Sequence, residues 1–328
     1  MSQPLTIVMY HYVRPLARTR YPAIKALELD DFAEQLAYLK RHYTVVSGEE
    51  LMAAVSGEWS LPRNAALLTF DDGYSDHFDY VFPLLDRERV PGCFFAPSAA
   101  VCDRKLLEVN RIHFILAAAQ DQRAVVDDIR TALERWSFDR AAHGLRSFDE
   151  YWSELARSSR WDPAEVVFCK RMLQRALPVQ SRSELSSELF AKYVSNDETA
   201  FAEELYVNVE QLRCMANHGM YVGSHSHAHQ WMSQLPADAQ AQDIDASLDL
   251  LRKVGIPTDA WIMCYPYGDS NQELRDVLRS RGCVAAVTTE PQLARSDSDP
   301  LLLARLDTND LPKDASSPPN RWSAEVVS

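Results

Sequence analysis

The sequence predicts an α/β protein in which strands and helices alternate to build a parallel sheet or barrel. Between residues 5 and 96, four short apolar or β-branched runs alternate with segments of helical spacing. Residues 103–206 then place apolar residues at three- and four-residue steps without clear strands. The alternation resumes at residue 209 and continues to residue 288. We therefore expect a barrel-type domain that is interrupted by a helical insertion.

Length and composition exclude several classes of protein. The chain has 328 residues, 46% of them hydrophobic, which is enough for a full core and more than one ordinary domain requires. Its net charge of −13 and its lack of a basic run argue against a nucleic acid partner. We find no secretory signal in residues 1–7 and no apolar segment long enough to span a membrane. Six widely spaced cysteines without CxxC spacing are typical of reduced thiols, so we expect a cytoplasmic protein.

The first half of the chain shows the alternation most clearly. Phe32, Leu36 and Leu39 have helical spacing behind Asp30 or Asp31 as a cap. An apolar run over 65–70 reads as a buried strand that opens into a turn. The predicted strands are 5–10, 44–46, 67–72 and 92–96, and the predicted helices are 30–43, 49–55 and 78–88.

The insertion and the second half follow. Within the insertion we predict helices over 106–119, 124–136, 148–156, 163–177 and 183–193. His113 and His143 lie there without a second ligand-type residue at metal spacing, so we do not expect them to bind metal. After it we predict helices over 209–218, 237–254 and 273–281, and strands over 220–224, 261–264, 283–288 and 301–306. The tail after residue 311, rich in Pro, Ser and Asn, is expected to be disordered or lightly packed.

Titratable side chains follow several predicted strands directly. His11, Asp71, Asp72, His225 and His229 all come just past a carboxyl end, as does the turn at Pro266. Active sites of parallel barrels are built at that rim. Two imidazoles and one carboxylate make a three-ligand site for a divalent metal, and a second carboxylate nearby can move protons. His227, two residues from each neighbouring histidine, should point away from the ligands.

Two of these segments resemble motifs of a known family. Thr69-Phe70-Asp71-Asp72-Gly73-Tyr74 resembles the first motif of the polysaccharide deacetylase family (NodB homology domain, carbohydrate esterase family 4). His225-Ser226-His227-Ala228-His229 resembles its second, His-[Ser/Thr]-x-x-His. The resemblance spans residues 5–102 and 207–310 and leaves the insertion uncovered. It implies a distorted (β/α)7 barrel.

The resemblance also implies roles for individual residues. Asp72, His225 and His229 would hold the metal, usually zinc, with cobalt, nickel or iron as alternatives. Asp71 would be the general base, and the backbone N–H of Tyr74 would stabilise the oxyanion.

Two departures from the family pattern require other residues. No histidine occurs in 301–311, where the family usually has a catalytic acid. Met9-Tyr10-His11-Tyr12-Val13 resembles the subgroup that includes the poly-N-acetylglucosamine deacetylases, which implies His11 as the acid. The family's third motif, Arg-x-Pro, reads Cys264-Tyr265-Pro266 here, so the arginine that normally orients the base is absent. Arg305 is the candidate substitute for that arginine. Tyr267, beside Pro266, is expected to line the sugar pocket.

We therefore expect a hydrolase with a discontinuous barrel over 1–102 and 207–312, an insertion over 103–206 and a tail over 313–328. The expected reaction is metal-dependent removal of an acetyl or formyl group from an amino sugar used for O-antigen, capsule or exopolysaccharide. The substrate would be nucleotide-linked, lipid-linked or oligomeric. Two alternatives remain open: an amidase acting on a non-sugar amide or imide, and a sugar-binding homologue without activity. The sequence does not indicate an oligomeric state.

Overall fold

A computed structural model describes residues 3–139, 144–159, 162–295 and 297–327. The chain divides into two compact units. The first contains Met1–Pro15, Ala26–Lys105 and Ala202–Ser328, and the second contains Leu16–Lys25 and Leu106–Phe201. The boundaries predicted at residues 102, 206 and 312 stay a prediction.

The strands all belong to the first unit. In chain order they are β1 (Thr6–Tyr10), β2 (Val13–Arg14), β3 (Leu27–Glu28), β4 (Thr44–Val45), β5 (Ala65–Phe70), β6 (Cys93–Ala96), β7 (Tyr221–Ser224), β8 (Trp261–Cys264), β9 (Cys283–Val287) and β10 (Leu306–Asp307).

The main sheet is parallel throughout, in the order β10-β1-β5-β6-β7-β8-β9, with β4 paired to the start of β5. Residues 303–307 connect its two ends. Leu303 bridges to Val287 at the end of β9, and Leu306 pairs with Val8 of β1. The sheet curls because parallel strands twist, and this segment covers both edges. The predicted α/β fold, a distorted (β/α)7 barrel with a helical insertion, is confirmed.

The helices are divided between the two units. In chain order they are α1 (Leu29–His42), α2 (Gly48–Ser56), α3 (Phe82–Glu88), α4 (Ser98–Cys102), α5 (Glu108–Ala118), α6 (Gln122–Arg135), α7 (Phe148–Leu155), α8 (Ala164–Arg171), α9 (Val179–Tyr193), α10 (Glu198–Leu205), α11 (Val209–Asn217), α12 (Ala237–Val254), α13 (Gln272–Ser280) and α14 (Arg321–Val327). None of those described is both long and apolar enough to cross a membrane.

Several boundaries differ from the sequence prediction for identifiable reasons. The helix predicted over 78–88 is a π-helical turn over His77–Val81 followed by α3, because Pro83 lacks an N–H and takes a place in the first turn of α3. The strand predicted over 301–306 begins as a 3₁₀ turn over Pro300–Leu302 and pairs only from Leu303 onward.

The tail, expected to be disordered or lightly packed, is not disordered in the part of it that the structure describes. Residues 321–327 form α14, whose Ser323 and Val326 are buried. The hydroxyls of Tyr38 and Tyr43 donate to Ser323 Oγ at 2.7 and 2.8 Å. The segment therefore docks through Val326, which joins the apolar core, and through Ser323, which accepts two buried hydrogen bonds.

The second unit consists mainly of helices. The ring of Tyr21 packs edge-on against Phe114 of α5 and Phe201 of α10, and Lys25 pairs with Asp162. His113 lies on α5 and belongs to none of the possible metal-binding groups among the described residues. His143 lies outside those residues.

Candidate metal and catalytic site

The end of β5 brings two carboxylates to the rim of the barrel. Asp71 and Asp72 are both buried, and the backbone turns there through positive φ angles of 73° at Asp72 and 66° at Gly73. A Cβ at Gly73 would lie 2.7 Å from that of Ala96, so this turn requires glycine. The sharp turn lets two successive carboxylates both lie near one histidine, His225.

Asp72 faces two histidines that follow β7. Its Oδ1 lies 3.2 Å from Nε2 of His225 and 3.2 Å from Nε2 of His229. All three residues are buried. Donors at zinc-ligand distance on a tetrahedron are about 3.3 Å apart, which these separations match. Oδ1 of Asp72 has no hydrogen-bond partner among the described residues. A divalent metal would fit this group and satisfy that oxygen.

Neighbouring groups orient two of the three ligands. Nδ1 of His225 lies 2.7 Å from the carbonyl oxygen of Cys264, so this nitrogen carries the proton and leaves Nε2 available as a ligand. The Tyr74 hydroxyl donates to Oδ2 of Asp72 at 2.5 Å, which leaves Oδ1 as the ligand atom. Sequence reasoning assigned only the backbone of Tyr74 a role, because nothing in the motif reveals where its ring lies.

The segment between the histidines is a loop and not a helical turn. Ser226 and His229 have φ angles of 64° and 52°. These conformations turn both imidazoles inward, with ring centroids 4.8 Å apart. His227 points elsewhere, with its Nδ1 2.8 Å from Ser98 Oγ and its Nε2 3.8 Å from Asp103.

Asp71 forms a bidentate ion pair with Arg305. The guanidinium donates to its two carboxylate oxygens at 2.8 and 2.7 Å, and also reaches the carbonyl oxygen of Thr288 and Thr69 Oγ1. Burial by itself would raise the pKa of Asp71, but the charge and hydrogen bonds of Arg305 outweigh it and lower the pKa to about 2. Asp71 is therefore ionised at neutral pH.

His11, which follows β1, also lies near Asp71. Its Nε2 is 3.9 Å from Asp71 Oδ2, which is too long for a hydrogen bond, and its side chain is 41% exposed. Sequence reasoning missed the buried His77, whose Nε2 donates to the carbonyl oxygen of His11 at 2.9 Å. Burial lowers the pKa of His77 to about 4, so its ring is neutral and acts as a hydrogen-bond donor to the His11 backbone.

Two aromatic rings lie beside His229. Tyr267 packs edge-on against His229 with centroids 4.8 Å apart, and Trp231 stacks on Tyr267 at 4.3 Å and 6°. Both aromatic side chains are partly exposed. Pro266 is buried and forms the turn that carries Tyr267 at a φ angle of 58°. Trp231 was not identified from the sequence, because it belongs to neither motif.

The sequence and fold are similar to known proteins. A family model described as Polysaccharide deacetylase matches residues 180–286, which contain His225 and His229 but neither aspartate. No curated protein matches.

Similar solved structures cover nearly the whole chain. IcaB from Ammonifex degensii has 19% identity and a TM-score of 0.57 over 100% of this chain and 99% of its own. Streptococcus pyogenes deacetylase PplD, in complex with acetate, has 16% identity and a TM-score of 0.56 over 95% and 94%. The BpsB deacetylase domain from Bordetella bronchiseptica has 16% identity and a TM-score of 0.53 over 93% and 95%. At these identities the similarity establishes the fold.

Proposed function

We propose, from the confirmed resemblance to the polysaccharide deacetylase family as premise, that this protein hydrolyses the N-acyl group of an amino sugar. The observation that carries the proposal is the convergence of Asp72, His225 and His229 beside the ion pair of Asp71 and Arg305. A metal-ligand group next to an ionised carboxylate suits the attack of water on an amide.

The first step is the addition of water to the acyl carbonyl carbon. When bound by Asp72, His225 and His229, a divalent metal, most simply zinc, would lower the pKa of water and polarise the carbonyl. Asp71 accepts the proton that the attacking water loses. Arg305 holds both oxygens of that carboxylate and thereby aims it, in place of the arginine absent from the third motif. Two separate elements, β5 and the segment before β10, thus build one base.

The second step breaks the carbon–nitrogen bond. His11 donates a proton to the departing amine, and its partial exposure supports this role because the amine must reach it. The backbone N–H of Tyr74 stabilises the oxyanion that forms between the two steps. The products are a carboxylate, acetate or formate, and a free amino sugar.

The substrate that we propose is an N-acylated amino sugar, nucleotide-linked, lipid-linked or oligomeric, in surface-polysaccharide biosynthesis. The partly exposed ring of Tyr267 beside His229, on which Trp231 stacks, supports a sugar over a small imide, because an aromatic side chain can pack against a pyranose. A cytoplasmic location belongs to the same proposal and is supported by the six free cysteines.

The test is a direct assay of acyl release. Purified protein loaded with zinc is incubated with UDP-N-acetylglucosamine, related nucleotide sugars and chitooligosaccharides, and released acetate and formate are quantified. We expect release from at least one sugar, and we expect Asp71→Asn to abolish it. Absence of release from every N-acyl sugar would overturn the proposal, and turnover of a cyclic imide alone would favour the amidase alternative.

A further inference from the structure

The buried face of α12 carries polar side chains where a helix that covers a sheet usually carries apolar ones. Gln240, Asp243 and Ser247 lie on that face, with 1%, 8% and 2% of each residue exposed. The sequence predicts this helix from the spacing of Ile244, Leu248 and Leu251, and it does not indicate that the polar residues are buried. All three polar side chains bond to one segment, residues 224–235, which contains both histidines of the metal group.

Asp243 makes the most direct of these contacts. Its Oδ1 accepts a hydrogen bond from the backbone N–H of His227 at 2.7 Å, and its Oδ2 accepts one from that of Ala228 at 3.0 Å. These two peptide groups lie midway between His225 and His229. Hydrogen bonds that backbone N–H groups donate to a carboxylate are among the stronger hydrogen bonds in proteins. One side chain therefore holds the middle of the loop at two successive points.

Ser247 supports the beginning of the same loop. Its hydroxyl donates to the carbonyl oxygen of Ile244, so Ser224 Oγ donates to Ser247 Oγ at 2.8 Å. Ser224 Oγ in turn accepts from the backbone N–H of Ser226, and Ser226 Oγ accepts from that of His229. Gln240 continues the pattern through the carbonyl oxygens of Met232 and Leu235.

The loop needs such support because its backbone is strained. Ser226 and His229 both have positive φ angles, which side-chain-bearing residues rarely adopt. Conformations of this kind persist only where surrounding contacts impose them. Asp243 bonds to the two residues that separate Ser226 from His229, and so it acts where the strain is concentrated.

We propose that Asp243 is a positioning residue of the metal site. By holding the peptides of His227 and Ala228, it keeps the imidazoles of His225 and His229 at the separation that a divalent cation requires. The inference rests on the proposed function only for the ligand set, since it concerns binding of the metal and not turnover. A purely structural Asp243 would stabilise the fold without affecting metal affinity, which separates the two interpretations.

The experiment measures the affinity of the full-length chain for Zn²⁺ by competition with a chromogenic chelator at fixed pH. Replacing a residue that orients a metal ligand typically weakens binding about 10–100-fold. We expect such a loss for Asp243→Ala and a smaller one for Asp243→Asn, which keeps one acceptor oxygen. The matched control is Asp245→Asn on the same helix, whose exposed carboxylate pairs with Arg281 and should leave the affinity unchanged.

A second measurement covers the case in which the alanine variant does not fold. Hydrogen exchange of the backbone amides of residues 226–229, followed in the metal-free protein, should accelerate in Asp243→Asn and not in Asp245→Asn. Zn²⁺ affinity of Asp243→Asn equal to that of the wild type would overturn the inference, even if the exchange accelerates. Wild-type protein that binds Zn²⁺ but releases no acyl group would instead refute the proposed function and leave this inference standing, whereas wild-type protein that binds no Zn²⁺ would refute both.

Discussion

Replacing Arg305 by methionine removes the cation that pairs with Asp71 and keeps most of the volume of the side chain. Arg305 is fully buried and donates to both oxygens of Asp71, whose side chain is only 2% exposed. Methionine has no hydrogen-bond donor and no charge to take the place of the guanidinium. The variant must therefore either keep an unpaired buried carboxylate or protonate it.

Removal of one partner of a buried ion pair typically costs about 3–5 kcal/mol of unfolding free energy. We expect Arg305→Met to lower the unfolding free energy by an amount in that range at neutral pH. Arg281→Met is the matched control, because Arg281 also pairs with an aspartate, Asp245, but at an exposed position. Exposed pairs contribute about 0–1 kcal/mol, so this control should unfold nearly as the wild type does.

The pH dependence separates loss of the charge pair from loss of packing. In the wild type the pKa of Asp71 is lowered to about 2, so the stability it contributes is present above its unfolded pKa and is lost as pH falls toward 2. Without Arg305, burial raises that pKa instead. Asp71 then favours the folded state at low pH, and this contribution is lost as pH rises through the new pKa. The difference in unfolding free energy between the wild type and the variant should therefore become smaller as pH is lowered from 7.5 to 5.

Urea denaturation at pH 5 and pH 7.5, with metal-free protein, measures these differences. Adding Asp71→Asn to Arg305→Met removes the unpaired charge and should restore most of the lost stability at pH 7.5. A variant with wild-type stability, or a double variant no more stable than the single one, would show that the ion pair is not what holds Asp71 in place. A pH-independent deficit would assign the effect of Arg305 to packing.

Three further predictions concern separate parts of the chain. His11→Ala should lower kcat for acyl release about 10²–10⁴-fold while zinc affinity stays unchanged, since a general acid is lost but no ligand is; equal kcat would exclude His11 as the acid. His229→Ala should abolish the rise in Tm that zinc produces in the wild type, because one of three ligands is gone. Ser323→Ala should lower the unfolding free energy by about 1–3 kcal/mol, because the buried hydroxyls of Tyr38 and Tyr43 lose an acceptor; an unchanged urea midpoint would mean that α14 contributes little.

The features that could be predicted from sequence are those with a local signature. The apolar run that ends at Asp71 and Asp72 marks a buried strand with charges at its end, and parallel strands bring such ends to one rim. The four-residue spacing of His225 and His229 indicates a pair of ligands. Both predictions depend only on periodicity and turn residues within a short segment, so they do not require knowledge of contacts between distant segments.

Contacts between distant segments have no such signature. Arg305 and Asp71 are 234 residues apart, and the pairing of β10 with β1 and of β1 with β5 brings them together. In the sequence, Asp243 cannot be distinguished from any other acidic residue on an amphipathic helix. Only the packing of α12 against the loop shows that it is buried and bonded to His227 and Ala228. The burial of Ser323 could not be predicted for the same reason, since a serine in a polar segment is typically exposed to solvent.

The sequence by itself determined the alternation of strands and helices, the helical nature of the insertion, and the aspartates and histidines that follow strands of the sheet. Only the tertiary structure decided which atoms of those residues face one another and which buried groups hold them, because hydrogen bonds between distant segments depend on how the barrel closes. The periodicity of apolar residues predicts which side chains are buried, but not which groups they contact.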